Sequence, residues 1–296
     1  MNITIEQNKV VVNLEPDEFA AFQKMFTNLQ LMKTVSVEFR EFPGFNGIAP
    51  VQILPMHLCR TIGEANLGED PFATVSLYPF WKHGFAFGNG AALTITPQAD
   101  DPHKKAVMAD EFGMGCCCFA MEELFHCVEW ADTSALLKQG AIFSLGTKKP
   151  DYVCTFSDGS LGIFEAKGTT GGSISDALRE GKFQTSCLTA PVPIKHRVAV
   201  GVILGSHTKI ILLDPVGEPA EPPEPTNLTP EMVAKAAKQM RTGGGAFPSK
   251  KRGVTPQRDG VCIAEPTETI FRSSFGEIKL TNEFKEDKRH NWLEVR

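Results

Sequence analysis

Residues 150–167 read PDYVCTFSDGSLGIFEAK, and the way this stretch folds on itself decides the rest. Tyr152 to Phe156 and Leu161 to Ala166 are short β-prone runs, joined by the turn residues Ser157, Asp158 and Gly159. A hairpin is expected. A strand turns successive side chains to opposite faces, so Glu165 and Lys167 share one face. The loop then decides whether Asp151 joins them. A two-residue Asp158-Gly159 turn would set Asp151 opposite Ala166, on the wrong face. A three-residue Ser157-Asp158-Gly159 loop, a type I turn followed by glycine in the left-handed bulge position, sets Asp151 opposite Glu165. The second register is expected, because it alone brings all three groups together.

Two carboxylates held this close repel each other, and the pKa of one rises unless a cation neutralises them. Oxygen ligands with room for water suit Mg²⁺, with Mn²⁺ able to substitute. Such a cation polarises a phosphate oxygen and acidifies a bound water, and an adjacent ammonium orients that water or stabilises the developing charge. The chemistry so assembled is phosphodiester hydrolysis.

Outward from the hairpin, a long helix is expected over residues 114–139, where Phe119, Leu124, Phe125, Val128, Ala135 and Leu136 recur at helical spacing. A strand over 141–145 follows it. After Lys167, Ser173 can cap a helix reaching about residue 188, with Ile174, Ala177, Leu178, Thr185 and Leu188 along its inner side. Residues 197–204 and 209–213 are nearly continuous aliphatic runs, as strands covered on both faces require.

Asp151 after Pro150, then Glu165-Ala166-Lys167, within the order αβββαβ, resembles the PD-(D/E)XK nuclease superfamily over residues 110–215 or so. The resemblance implies an α/β, restriction-endonuclease-like core with a mixed central sheet flanked by helices. It assigns the metal to Asp151, Glu165 and the carbonyl of Ala166, and the assisting ammonium to Lys167. Many members place an acid on the first core helix. Glu122 and Glu123 compete for that place, and Glu122 is favoured by sharing a helical face with Gly115, Cys118, Phe119 and Phe125. Gln184 falls where some members carry a glutamine, while Leu188 stands where those members have a tyrosine, so an endonuclease is expected rather than an exonuclease. The resemblance also favours DNA over RNA and a role in restriction, phage defence or toxicity. The alternative is a catalytically silent nuclease fold that binds nucleic acid or a partner.

Around this core, at residues 106–216, the chain divides into an N-terminal α+β region (1–105), a proline-rich acidic linker (217–226, GEPAEPPEP within it) and a C-terminal extension (227–296). The N-terminal region carries strands around Ile3 and Val10, a helix from Pro16 toward Leu31 and a strand over 35–39. It is the expected site for a partner protein or a second copy. Residues 44–98 show no helical period and read as irregular β structure. The extension holds a helix over 230–241 and a β-like tail over 261–280.

The net charge of -5 gives no global polyanion signature. Phosphate contacts must come from a local patch. Lys235, Lys238, Arg241, Lys250, Lys251, Arg252 and Arg258 form an acid-free basic stretch. Lys182, Lys250, Lys251 and Arg252 are the nucleic-acid-binding candidates. Cys116, Cys117 and Cys118 point about 100° apart on a helix and cannot converge on an ion, so they are expected in the core. A second metal site from His126, Glu122 and Glu129 is the weaker reading of those residues. No apolar run is long enough for a membrane span, the polar N-terminus does not suggest a leader, and the consecutive cysteines fit a reducing cytoplasm. No P-loop motif occurs, so cleavage should need no motor within the chain.

Overall fold

The computed structural model describes residues 2–6, 9–42, 45–67, 90–96, 101–142, 148–214, 227–241, 268–281 and 293–295. The expected hairpin forms β6 (Tyr152–Thr155) and β7 (Leu161–Thr169), paired antiparallel with Tyr152 opposite Phe164 and Thr155 opposite Leu161. Extended by one residue, this register sets Asp151 opposite Glu165. Gly159 has φ +80° and its N–H donates to the Phe156 carbonyl at 3.0 Å, while the Phe156 N–H donates to the Ser160 carbonyl at 3.0 Å. The three-residue loop is therefore the one the chain adopts. Asp158 Oδ1 fixes it from inside by accepting from the Ser160 N–H at 3.0 Å and the Ser160 hydroxyl at 2.5 Å.

The hairpin belongs to a seven-stranded mixed sheet in an α/β arrangement with helices on its faces. Its other strands are β3 (Lys33–Phe42), β4 (Phe45–Ile53), β5 (Glu129–Asp132), β8 (Ile194–Ile203) and β9 (Lys209–Leu213), in the order β4-β3-β9-β8-β7-β6-β5. β7 runs parallel to β8 and β3 parallel to β9; the other neighbours are antiparallel. The sheet crosses the boundary expected at residue 105, because β3 of the N-terminal region hydrogen-bonds directly to β9.

The expected long helix and the strand after it are placed differently. α3 spans Pro102–Phe119, after α1 (Pro16–Leu29) and α2 (Pro55–Leu67), and a π-helical turn over Ala120–Leu124 follows it. The helix starts upstream of residue 114: Asp101 caps it through the His103 and Lys104 N–H groups at 2.7 and 3.3 Å, with Pro102 at the first helical position. His126 leaves the helical path with φ +55°, and Trp130 and Ala131 then enter β5 opposite Cys154 and Val153. A separate short helix, α4 (Thr133–Lys138), is capped by Asp132 through the Ala135 N–H. The strand that precedes the hairpin is thus β5, in place of the one expected over 141–145. Ala141 and Ile142 are in no strand, and 143–147 lie outside the described residues. Glu122, His126 and Glu129 consequently do not share a helix. Within 44–98, α2 replaces part of the expected irregular structure; its glycine and polar residues dilute the period of Met56, Cys59 and Ile62.

The two faces of β7 divide the core. Phe164 and Ala166 face a large apolar cluster with Phe112, Cys116, Cys117 and Phe119 of α3 and Val198, Val200 and Val202 of β8. All three consecutive cysteines are fully buried in it, as expected. The opposite face receives α5 (Ser175–Ser186) through Leu178 against Ala199 and Ile211, and α6 (Pro230–Arg241) through Val233, Ala236 and Ala237 against Leu161 and Ile163. A second sheet has the order β1-β2-β10-β11-β12, from β1 (Asn2–Glu6), β2 (Lys9–Asn13), β10 (Glu268–Ser273), β11 (Gly276–Thr281) and β12 (Leu293–Val295). It joins the main core where Phe22 of α1 stacks on Phe271 of β10, with ring centroids 4.2 Å apart. The proline-rich linker and Lys250, Lys251, Arg252 and Arg258 lie outside the described residues. No helix among the described residues is long and apolar enough to cross a membrane.

Candidate active site

Because Asp151 and Glu165 are cross-strand neighbours, each carboxylate meets a backbone N–H of the opposite strand. The Asp151 N–H donates to Glu165 Oε2 at 2.9 Å, and the Ala166 N–H donates to Asp151 Oδ2 at 2.9 Å. Lys167, two residues on and on the same face, donates through Nζ to Glu165 Oε1 at 2.5 Å and to Gln184 Oε1 at 3.1 Å. Gln184 closes the circuit by donating through Nε2 to the Lys149 carbonyl at 3.2 Å. The structure therefore brings Asp151, Glu165, Lys167 and Gln184 together.

Two helices press on this strand end, and glycines set how closely. Gly181 of α5 lies over the trio: a Cβ there would stand 3.0 Å from Glu165 Cγ and 3.4 Å from Lys167 Cε. On the other side, a Cβ on Gly168 would lie only 1.6 Å from the Ala109 carbonyl oxygen, so α3 reaches the backbone of β7. This contact carries Asp110 into the electrostatic neighbourhood of Lys167 and Asp151. Asp110, Gly113 and Cys117 share a helical face, and the Cys117 thiol also lies within electrostatic reach of Asp151 and Glu165.

Glu122, the expected helix acid, keeps other company. It accepts from Arg60 Nη2, from Trp130 Nε1 at 2.9 Å and pairs with His57 Nε2 at 3.1 Å. Despite burial, which alone would raise it, the contacts with His57, Arg60 and Trp130 hold its pKa at about 2. Glu123 stands 3.5 Å from His57 Nδ1 in the same cluster. The acid that α3 supplies to the trio is Asp110. The sequence signal was Asp101-Pro102, which moves the helix start upstream and places Asp110 in its interior. Lys182 is also committed elsewhere. Its Nζ donates to Asp214 Oδ1 at 2.7 Å and to the Arg197 carbonyl at 2.5 Å, so it anchors α5 to the sheet instead of facing a ligand. Lys235 and Lys238 are exposed on α6.

The electrostatics follow from burial. Glu165, with its side chain 2% exposed, has its pKa pushed up to about 8 by desolvation and by the Asp151 carboxylate, against the pull of Lys167. Asp151 is raised by burial, with Asp110 adding to the effect and the Ala166 N–H and Lys167 opposing it. Asp110 is raised by burial as well, although Lys167 lowers it. Burial pulls Lys167 down, but its contact with Glu165 outweighs that and leaves it above the ordinary lysine value. One ammonium thus faces three acids that resist ionising side by side.

Among the described residues, no three carboxylate, imidazole or thiolate side chains form a ready-made metal cage. The donor chemistry nonetheless suits a hard divalent ion. Two adjacent carboxylates supply oxygens and carry a charge that burial penalises, and Mg²⁺ is commonly bound by one or two carboxylates with water completing its shell. Such an ion would share Glu165 with Lys167.

No family model, curated protein or solved structure matches this chain.

Proposed function

We propose that the chain is a divalent-metal-dependent nuclease on a restriction-endonuclease-like core, hydrolysing phosphodiester bonds, with DNA favoured over RNA and a role in restriction, phage defence or toxicity. The observation that carries this reading is the apposition of Asp151 and Glu165 with Lys167 held on Glu165 Oε1. The order α3, β5, α4, β6, β7, α5, β8 around it supports the superfamily resemblance, with the short α4 inserted between the first two strands.

Asp151 and Glu165, with the Ala166 carbonyl, would hold Mg²⁺ or Mn²⁺, which supplies charge neutralisation for the phosphate and an acidified water. Lys167 presents an ammonium beside the carboxylates, suited to orienting the attacking water or to donating a hydrogen bond to a phosphoryl oxygen as negative charge grows there. Gln184 fixes where that ammonium points, since its two ends hold Lys167 Nζ and the Lys149 carbonyl. Asp110 adds negative potential that keeps Lys167 charged. The water oxygen bonds to phosphorus, the phosphorus–ester oxygen bond breaks, and the leaving oxygen departs with a proton.

The test is cleavage of plasmid and labelled oligonucleotides with and without Mg²⁺, comparing wild type with Asp151→Ala and Lys167→Ala. Each substitution is expected to lower the rate at least 100-fold, as loss of a transition-state contact does. Metal-independent cleavage would reject the metal site, and no cleavage of any DNA or RNA would reject the enzyme in favour of a silent binding subunit.

A further inference from the structure

Phe183 lies one residue before Gln184 on α5 and exposes 56% of its surface, on a helix whose outer face is otherwise polar. Lys148 Nζ stands 5.6 Å from the centre of its ring and 3.3 Å from Glu180. Arg179, one helical turn before Phe183, is exposed on the same side. An apolar ring exposed to water, with Lys148 over it and Arg179 exposed one helical turn away, matches how single strands are held, with bases stacked on aromatic faces and phosphates met by basic side chains.

The location ties this platform to the chemistry. Lys148 precedes Asp151 by three residues, which span at most roughly 11 Å of chain. Lys149, between them, gives its carbonyl to Gln184. Phe183 and Lys148 are therefore within reach of nucleotides flanking a phosphate bound at Asp151 and Glu165. In a duplex each base face is covered by its neighbours in the stack. Apart from the two end pairs of a duplex, only an unpaired base offers a free face to an exposed ring.

We propose that Phe183, with Lys148 and Arg179, stacks an unpaired nucleobase next to the scissile phosphate, making single-stranded or frayed nucleic acid the preferred substrate. This rests on the nuclease reading of the adjacent trio, and it narrows the substrate class.

The test separates binding from cleavage. A fluorescent 20-nucleotide strand and the same sequence as a blunt duplex are titrated with Lys167→Ala protein in Mg²⁺, followed by anisotropy, with Phe183→Ala and Phe183→Trp added to that background. Phe183→Ala should weaken single-strand binding roughly 5- to 150-fold, since stacking contributes ~1–3 kcal/mol per base, and change duplex binding less than about twofold. Phe183→Trp should retain wild-type affinity. DNA and RNA strands should respond alike, because every base has a stacking face. An equal loss on both substrates, or no loss on either, overturns the proposal. Exposed Phe183 should leave the melting temperature unchanged on substitution, so misfolding does not mimic the result. If wild-type protein cleaves no substrate but the single-strand loss is seen, the catalytic reading fails and the stacking site stands. Cleavage that is indifferent to Phe183 and to strand pairing gives the converse.

Discussion

Replacing Glu165 by glutamine should make the protein more stable at alkaline pH while abolishing the proposed metal-dependent cleavage. In the native state the Glu165 proton is held up to about pH 8, against an ordinary value of 4.5. Between those limits the folded chain keeps a proton the unfolded chain has lost. Native stability therefore falls as pH rises through that window and levels off above it. At ~1.36 kcal/mol per pH unit the full rise corresponds to about 5 kcal/mol, most of it developing between pH 5 and 8. The amide cannot ionise, so this loss is absent in the variant. It retains one oxygen for Lys167 but turns an NH₂ toward the Asp151 N–H, giving up a hydrogen bond of about 1 kcal/mol and the attraction to Lys167. The net gain at pH 8 without divalent ions is then about 2–3 kcal/mol, shrinking to nothing or reversing near pH 5. Urea unfolding of both proteins at half-unit pH intervals reads the difference directly. Added Mg²⁺ should selectively stabilise the wild type at pH 8, because it neutralises the charge the glutamine lacks. Parallel stability–pH curves for the two proteins would refute the reasoning, since Glu165 would then titrate normally and the repulsion that invites a cation would not exist.

Asp110→Asn is expected to lower cleavage about tenfold or more with little loss of stability, whereas Glu122→Ala should cost about 1–3 kcal/mol, since Trp130 Nε1 and His57 lose their acceptor while Arg60 keeps Glu64 at 2.6 Å, and leave the turnover of the folded fraction near wild type; paired activity and urea measurements distinguish the two acids. Glu122 itself, held at about 2, stabilises the fold fully above its ordinary value of 4.5, and that contribution should drain away as pH falls from there toward 2, visible as a stability difference between wild type and Glu122→Gln. Lys182→Met should destabilise by about 1–3 kcal/mol, since Asp214 loses its ammonium partner and keeps only His196 at 3.7 Å, without changing the salt dependence of nucleic-acid binding. Gly168→Ala, whose methyl would collide with the Ala109 carbonyl, should sharply reduce folded yield in a thermal melt.

The hairpin was legible because each requirement was local: Gly159 must take a left-handed conformation, the strand period is two, and the loop length sets the register. The β8 and β9 runs were equally plain, since a strand buried on both faces admits little but aliphatic residues. The helix acid was not. Phe125 and Val128 prolong the helical pattern past the point where His126 breaks it, so α3 was placed too late and its acid sought at Glu122. Only the approach of Gly168 to Ala109, a tertiary contact, brings Asp110 to Lys167. Lys182 illustrates the same limit, because a basic residue near a site looks alike in sequence whether its partner is a phosphate or Asp214. The union of β3 with β9 was hidden because strand pairing across more than a hundred residues leaves no local trace.

The parallel pairing of β2 with β10 has a consequence in time. During synthesis Val11, fully buried in the finished fold, waits for Ile270, 259 residues downstream, or roughly 10 to 50 seconds at ordinary translation rates. Throughout that interval the N-terminal hairpin offers an open, apolar strand to any extended segment nearby. Glu6 and Lys9, at its turn, are the charges nearest to guard it. The hairpin carrying Asp151 and Glu165 closes locally and early, so a newborn chain could assemble its acidic centre well before the sheet that joins its two ends.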